Sequence, residues 1–215
     1  MSRPKKEERL KRPSSTLCLF VLLGGICLAA CGGGGGNVPG PGSGVTAAFT
    51  PSNPAPGMDS ISMQPGEATN DTFEIEVHVT DLVDFFGAGF RIMFDSATAE
   101  FLSFDDSMSF LNASAAVVDI RATVDPADPG RVFVVATLQN SFSYVQGITP
   151  SAGSDTLLVL TFRATDPTAG NAFTFDTATS REVTTCPSWD MTGLQPGCPE
   201  VSATLTWNGG TMTAG

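Results

Sequence analysis

The chain has 215 residues, 41% of them hydrophobic and only 15% charged, which is a globular balance and long enough for one domain with its own core. The formal charge of −11 is unevenly spread: Arg3, Lys5, Lys6, Arg9, Lys11 and Arg12 crowd the start, and the rest of the chain carries five arginines, no lysine and twenty carboxylates. A surface of that sign repels phosphate backbones and anionic leaflets alike, which argues against nucleic acid as a partner and leaves covalent attachment as the route to a membrane.

After Arg12 comes an uncharged apolar run, Leu17 to Ala30, too short and too closely followed by glycines to span a bilayer. A basic start, a short apolar middle and small residues at the end read as a secretory signal over residues 1–30. It closes on Leu28-Ala29-Ala30-Cys31, which looks like the bacterial lipobox. That resemblance implies that Cys31 is lipidated and becomes the first residue of the mature chain. By the same resemblance, and for a Gram-negative host, Gly32 in place of the aspartate that would signal retention implies transfer to the outer membrane, on the periplasmic or cell-surface side. Residues 31–57 are rich in Gly, Pro and Ser and read as a flexible tether, with Val45 to Phe49 as the one stretch able to start a strand. The folded domain is expected over 58–215.

From Met58 onward the apolar period is two. Phe73, Ile75, Val77 and Val79 alternate with Glu74, Glu76, His78 and Thr80; Phe90, Ile92 and Phe94 alternate with Arg91 and Met93. Phe101 and Phe104 mark a shorter strand, and Val117 to Thr123 another, ending at the turn Asp125-Pro126-Ala127-Asp128-Pro129-Gly130. Val132 to Leu138 and Leu157 to Arg163 follow, then Phe173 and Phe175. Val201, Thr204 and Trp207 suggest a last strand closed by an Asn208-Gly209-Gly210 turn. No segment past the signal has a helical period, so the expected fold is all-β, a sandwich or jelly roll. Fifteen Phe against one Tyr and two Trp suit packing better than recognition.

Cysteine usage agrees with export. Cys18 and Cys27 leave with the signal and Cys31 is acylated, so Cys186 and Cys198 remain and are expected to bridge around a Pro- and Gly-containing loop. Two cysteines without a nearby histidine do not complete a metal site, and no calcium-loop pattern is present; no metal or cofactor is expected.

The order of pieces has a family likeness. Phe86-Gly87-Ala88-Gly89-Phe90-Arg91-Ile92-Met93-Phe94-Asp95 followed by Ala99-Glu100-Phe101-Leu102-Ser103-Phe104 resembles the cohesin family, as do Gly130 to Ala136 and Leu158 to Ala164 further on. The resemblance covers roughly Ser60 to Ala214 and implies a jelly-roll sandwich of about nine strands. It implies a binding module that docks a dockerin-type protein and so links it to polysaccharide degradation. The partner face would be built from Gly87–Asp95, Val117–Thr123, Val132–Asn140 and Phe173–Phe175. On the alternation, Arg91, Met93, Phe133, Val135, Thr137 and Gln139 point outward there, an apolar patch edged by Arg91 and Gln139 unless the segment from Asn140 to Ser154 covers it. Cohesins place partner-contacting Asn and Asp side chains where this chain has Gly87 and Gly89, so the likeness carries the fold further than the partner contacts.

An enzyme is not expected. The single histidine, His78, falls on the solvent side of a strand, and the acid pairs Asp105-Asp106 and Asp125/Asp128 have turn chemistry as their explanation. The rival reading is direct carbohydrate binding through Trp189, Trp207 and Tyr144, and a third is a structural envelope lipoprotein.

Overall fold

The computed structural model describes residues 46–139, 146–151, 153–166, 168–177, 180–187 and 198–215. The signal, Cys31, most of the tether and the candidate rings Tyr144 and Trp189 lie outside these residues. The described residues form twelve strands: β1 (Ala47–Pro51), β2 (Ser60–Thr69), β3 (Thr72–Thr80), β4 (Phe85–Met93), β5 (Ala99–Asp105), β6 (Val117–Asp125), β7 (Asp128–Gln139), β8 (Ser154–Ala164), β9 (Asn171–Phe175), β10 (Glu182–Thr185), β11 (Thr206–Asn208) and β12 (Gly210–Ala214). One sheet runs β1-β12-β9-β4-β7-β6, with β10 also on β4; the other runs β11-β2-β3-β8-β5. This is the expected all-β sandwich, with twelve strands in place of about nine.

The additional strands are short, and each has a local reason. β1 takes residues 47–51 into the sandwich, pairing with β12 from Ala47↔Ala214 to Pro51↔Gly210, so the sheet begins inside the segment that composition assigned to the tether. The expected last strand divides. Ser202–Thr204 is a single 3-10 turn, β11 follows it, and the Asn-Gly-Gly sequence then crosses to the opposite sheet as β12. Both glycines are dictated by close approach: a Cβ on Gly209 would stand 2.2 Å from the Phe173 carbonyl oxygen, and one on Gly210 2.3 Å from the Phe49 ring. β2 escapes the period-two reading because Gln64-Pro65-Gly66 interrupts it. The chain absorbs this as a bulge between Pro65 and Ala68, where the three-residue β11 no longer runs alongside.

The phenylalanines are the core. Phe173 meets Phe49, Phe73, Phe94 and Phe162 at ring-centroid distances of 6.0, 5.8, 5.6 and 4.9 Å. Phe73, Phe162 and Phe173 are almost fully excluded from solvent. Each such ring pair adds about 0.5–1.5 kcal/mol beyond the area it buries. The buried Asn171 side chain locks this centre to the end of β4: it accepts from the Asp95 N–H at 3.0 Å and donates to the Asp95 carbonyl at 2.7 Å.

The hairpin that carries the candidate face is set by its turn. Asp125 Oδ1 accepts from the Ala127 N–H at 2.9 Å and Asp128 Oδ1 from the Gly130 N–H at 3.1 Å, so β6 and β7 are joined by Pro126-Ala127 alone. That fixes the register, and the register fixes which side chains face outward.

Candidate partner-binding face

Strands β6, β7, β4 and β9 lie in one sheet, as the cohesin likeness implies. Along β4, Phe90 and Ile92 are buried, with Arg91 and Met93 on the outer side; along β7, Val132, Val134, Ala136 and Leu138 are buried, with Phe133, Val135, Thr137 and Gln139 outward. The far edge of β4 is shared. β9 pairs with Ile92 and Met93, and β10, which the sequence reading missed, pairs with Phe85 to Gly89.

Register lays the outer face out in rows across four strands. Thr184, Gly87, Thr137 and Asp119 form one row; Glu182, Gly89, Val135 and Arg121 form the next; Arg91, Phe133 and Thr123 form a third. Two adjoining depressions, about 450 and 400 Å³, open along these rows, and Gly89, Val135 and Glu182 line both. Their floor is β4, because Gly87 and Gly89 bring no side chain to the outer face. The two glycines differ: a Cβ on Gly87 would stand 2.9 Å from Thr137 Oγ1, whereas one on Gly89 meets nothing within 4 Å. The described parts of the Asn140–Ser154 segment, 146–151 and 153–154, line neither depression; Ile148 bridges to Phe85 at the start of β4.

The six residues named from sequence separate on the structure. Arg91 does not edge the patch. It stands directly opposite Phe133 in the ladder, its guanidinium carbon 4.6 Å from the ring centroid, and Asp176 at the end of β9 holds it at 3.7 Å. The aliphatic surface left open is therefore Val135, 48% exposed, with Val117 further along β6 at 62%. Gln139 donates to Asp119 Oδ2 at 3.1 Å, and Asp119 also chelates Arg121 at 2.8 Å, raising the guanidinium pKa by hydrogen bond and charge. Thr137 donates to the Leu138 carbonyl. Met93 lies away from this group, at the far end of β4, where its sulfur accepts from Arg131 Nε at 3.2 Å. Arg131 is itself held by Asp125 and Asp128.

The wall along β10 was invisible in the sequence. Arg181 is turned inward: it donates to the Phe175 carbonyl at 2.9 Å and to the Asp176 carbonyl, and lies 5.0 Å over the Trp207 ring. Burial lowers its pKa, opposed by the Asp176 charge. Asp176 accepts from the Thr177 N–H, the main reason its carboxyl sits below the ordinary value; burial opposes this, and Ser180, Arg131 and Arg91 support it. The disulfide Cys186–Cys198, with Cα atoms 4.4 Å apart, ties the end of β10 to the segment running to Glu200, and the Thr184↔Glu200 bridge continues that seam.

Trp207, a candidate sugar-stacking ring from sequence, is instead packed into the rim of the core. It lies 5.9 Å from Phe90 and 5.0 Å from Phe175, its Nε1–H donates to the Ser202 carbonyl, and Arg181 covers one face. His78 stands outward on the opposite sheet, as its alternation predicts, bonded to Glu76 at 2.7 Å and to Ser154 and Thr156. Among the described residues no three His, Cys, Asp or Glu side chains gather as a metal site.

No protein-family model and no curated protein matches the chain. Among solved structures, a type II cohesin domain from the cellulosome of Acetivibrio cellulolyticus is similar to it, with a TM-score of 0.51 and 11% identity over 73% of this chain and 95% of that one. The fold is cohesin-like. The sixth cohesin of the scaffoldin B of the same organism, solved in complex with a Cel5 dockerin, superposes with a TM-score of 0.46 at 12% identity, over 71% of this chain and 96% of that one. A non-cellulosomal cohesin from the archaeon Archaeoglobus fulgidus gives 0.42 at 15%, over 70% and 88%.

Proposed function

We propose that this chain is a protein-docking module whose partner, of dockerin type, seats on the outer face of β10, β4, β7 and β6, and that lipid on Cys31 holds the module at the outer membrane. The observation that carries the docking reading is the glycine-floored trough beside Val135. An exposed aliphatic side chain and two adjoining depressions present open shape and apolar area at one place on the sheet. The chemistry offered is that of surface association: no side chain on the face is arranged as nucleophile and base. The cohesin-like fold supports a protein partner, and a link to polysaccharide degradation is proposed from the sequence resemblance to cohesins alone.

The test is retention. The full chain, immobilised, is exposed to the secreted and envelope proteins of its host, and what stays is identified by mass spectrometry. A dockerin-bearing protein retained by wild type and lost with Val135→Asp supports the reading. Retention on insoluble polysaccharide with no protein partner would overturn it. Radiolabelled palmitate incorporated by wild type but not by Cys31→Ser tests the anchor.

A further inference from the structure

The trough is asymmetric, and the asymmetry specifies what enters it. Of the charged side chains that line it, the cations are already committed: Arg91 to Asp176 and the Phe133 ring, Arg181 to two main-chain carbonyls and the Trp207 ring. Glu200 is partly engaged, accepting from the Ser202 N–H at 2.7 Å. Glu182 is exposed and lines both depressions, and among the described residues its side chain makes no ion pair or hydrogen bond. It stands directly opposite Gly89, which in turn stands directly opposite Val135. Two strand spacings separate the Glu182 and Val135 backbones, about 10 Å, with an open floor between them.

Resting on the docking reading above, we propose that Glu182 receives a lysine or arginine side chain of the docked partner, its aliphatic stem laid over Gly89 against Val135 and its cationic head on the Glu182 carboxylate. A long cationic side chain is the one that satisfies both walls. Its methylene stem matches the aliphatic wall while its head stays partly hydrated at the acidic one. A neutral apolar residue would desolvate Glu182 without compensation, and an acidic one would be repelled by both Glu182 and Glu200. Gly89 explains the room: nothing lies within 4 Å of where its Cβ would be, so the absent side chain leaves space that the fold itself does not fill. The excess of carboxylates over arginines beyond residue 12 draws a basic partner surface toward this face.

The probes are N-acetyl-arginine methylamide and its neutral analogue N-acetyl-norleucine methylamide, titrated into the full chain labelled with 15N-glycine. The Gly89 resonance is identified by its loss in Gly89→Ala. The arginine fragment is expected to shift Gly89 saturably, with an affinity about five-fold above that of the norleucine fragment, the scale of a partly exposed ion pair. Glu182→Gln should erase the difference. Equal shifts from both fragments, no shift from either, or an arginine shift unchanged in Glu182→Gln would overturn the proposal. Partner capture separates its failure from that of the docking reading. Gly89→Leu fills the trough without a clash at Cβ, so binding lost in Gly89→Leu and Val135→Asp but kept in Glu182→Gln would leave the docking face standing and remove the cation. Binding kept in all three would remove the face itself.

Discussion

The sandwich has two outer surfaces built by the same alternation, and they are not alike. On the β3–β8 side, Glu74, Glu76, His78, Thr161 and Arg163 face outward, and the polar groups largely satisfy one another: His78 with Glu76, Ser154 and Thr156, Arg163 with Glu100. On the β4–β7 side, two adjoining outward rows hold Gly87 and Gly89, with Val135 and Glu182 flanking Gly89, and Glu182 has no side-chain partner among the described residues. A surface that completes its own hydrogen bonds has no need of a partner. One that leaves aliphatic area, a depression and an exposed carboxylate together is the surface on which the docking proposal rests. The difference lies in which residues sit at the outward positions, since both sheets share one core.

That shared core sets the largest expected effect. Phe173→Ala, which removes a ring packed against four others, should cost about 3–5 kcal/mol in denaturant unfolding and disturb both surfaces equally. A mutant that lost one surface and kept the other would break the account of a common core. Next is the disulfide. Cys186→Ser with Cys198→Ser should cost about 2–4 kcal/mol, the loop-closure scale for a bridge of this span. Amide exchange should quicken at Glu182–Thr185 well before β3, because the bridge ties down the β10 wall and nothing on the opposite sheet. Val135→Asp sharpens the comparison further: being on the exposed surface, it should change stability by less than about 1 kcal/mol while abolishing partner retention. Thr161→Asp on the other sheet should leave retention intact.

The smallest effect is acidic. The Asp176 carboxyl lies below its ordinary value in the folded chain, chiefly through the Thr177 N–H and with help from Ser180, Arg131 and Arg91. A depressed folded pKa gives stability that is complete above the unfolded value, about 3.9, and is lost as pH falls through the folded one. Wild type should therefore lose more stability than Asp176→Asn between pH 6 and pH 3, measured by chemical denaturation. An equal loss would mean that the Thr177 N–H, Ser180 and the neighbouring arginines do not together hold the Asp176 carboxyl in its charged form.

The strands were legible where the apolar residues alternate without interruption: Phe73–Val79, Phe90–Phe94, Val132–Leu138. So was the face, because period two states which side Arg91, Phe133 and Val135 take. What sequence could not state was lateral order. Nothing in Glu182-Val183-Thr184-Thr185 says that so short a run will pair with the first half of β4, leaving β9 the second half, so the acidic wall went unread. Register likewise put Arg91 over Phe133 rather than at the rim. Trp207 misleads for a related reason: as one of only two tryptophans it reads as a recognition ring, yet the crossing at Gly209 and Gly210 carries it into the rim of the core. Gly87 and Gly89 were visible as a departure from cohesins, but their effect, an open floor, needed the neighbouring strands.

The most direct test of the docking face is carboxylate-labelling footprinting with and without the retained partner, since both surfaces carry accessible acids. The account predicts protection of Glu182, Glu200 and Asp119, with Glu74, Glu76 and Glu100 labelled as in the free chain. Protection of Glu74 and Glu76 with Glu182 left open would place the partner on the opposite sheet and contradict it.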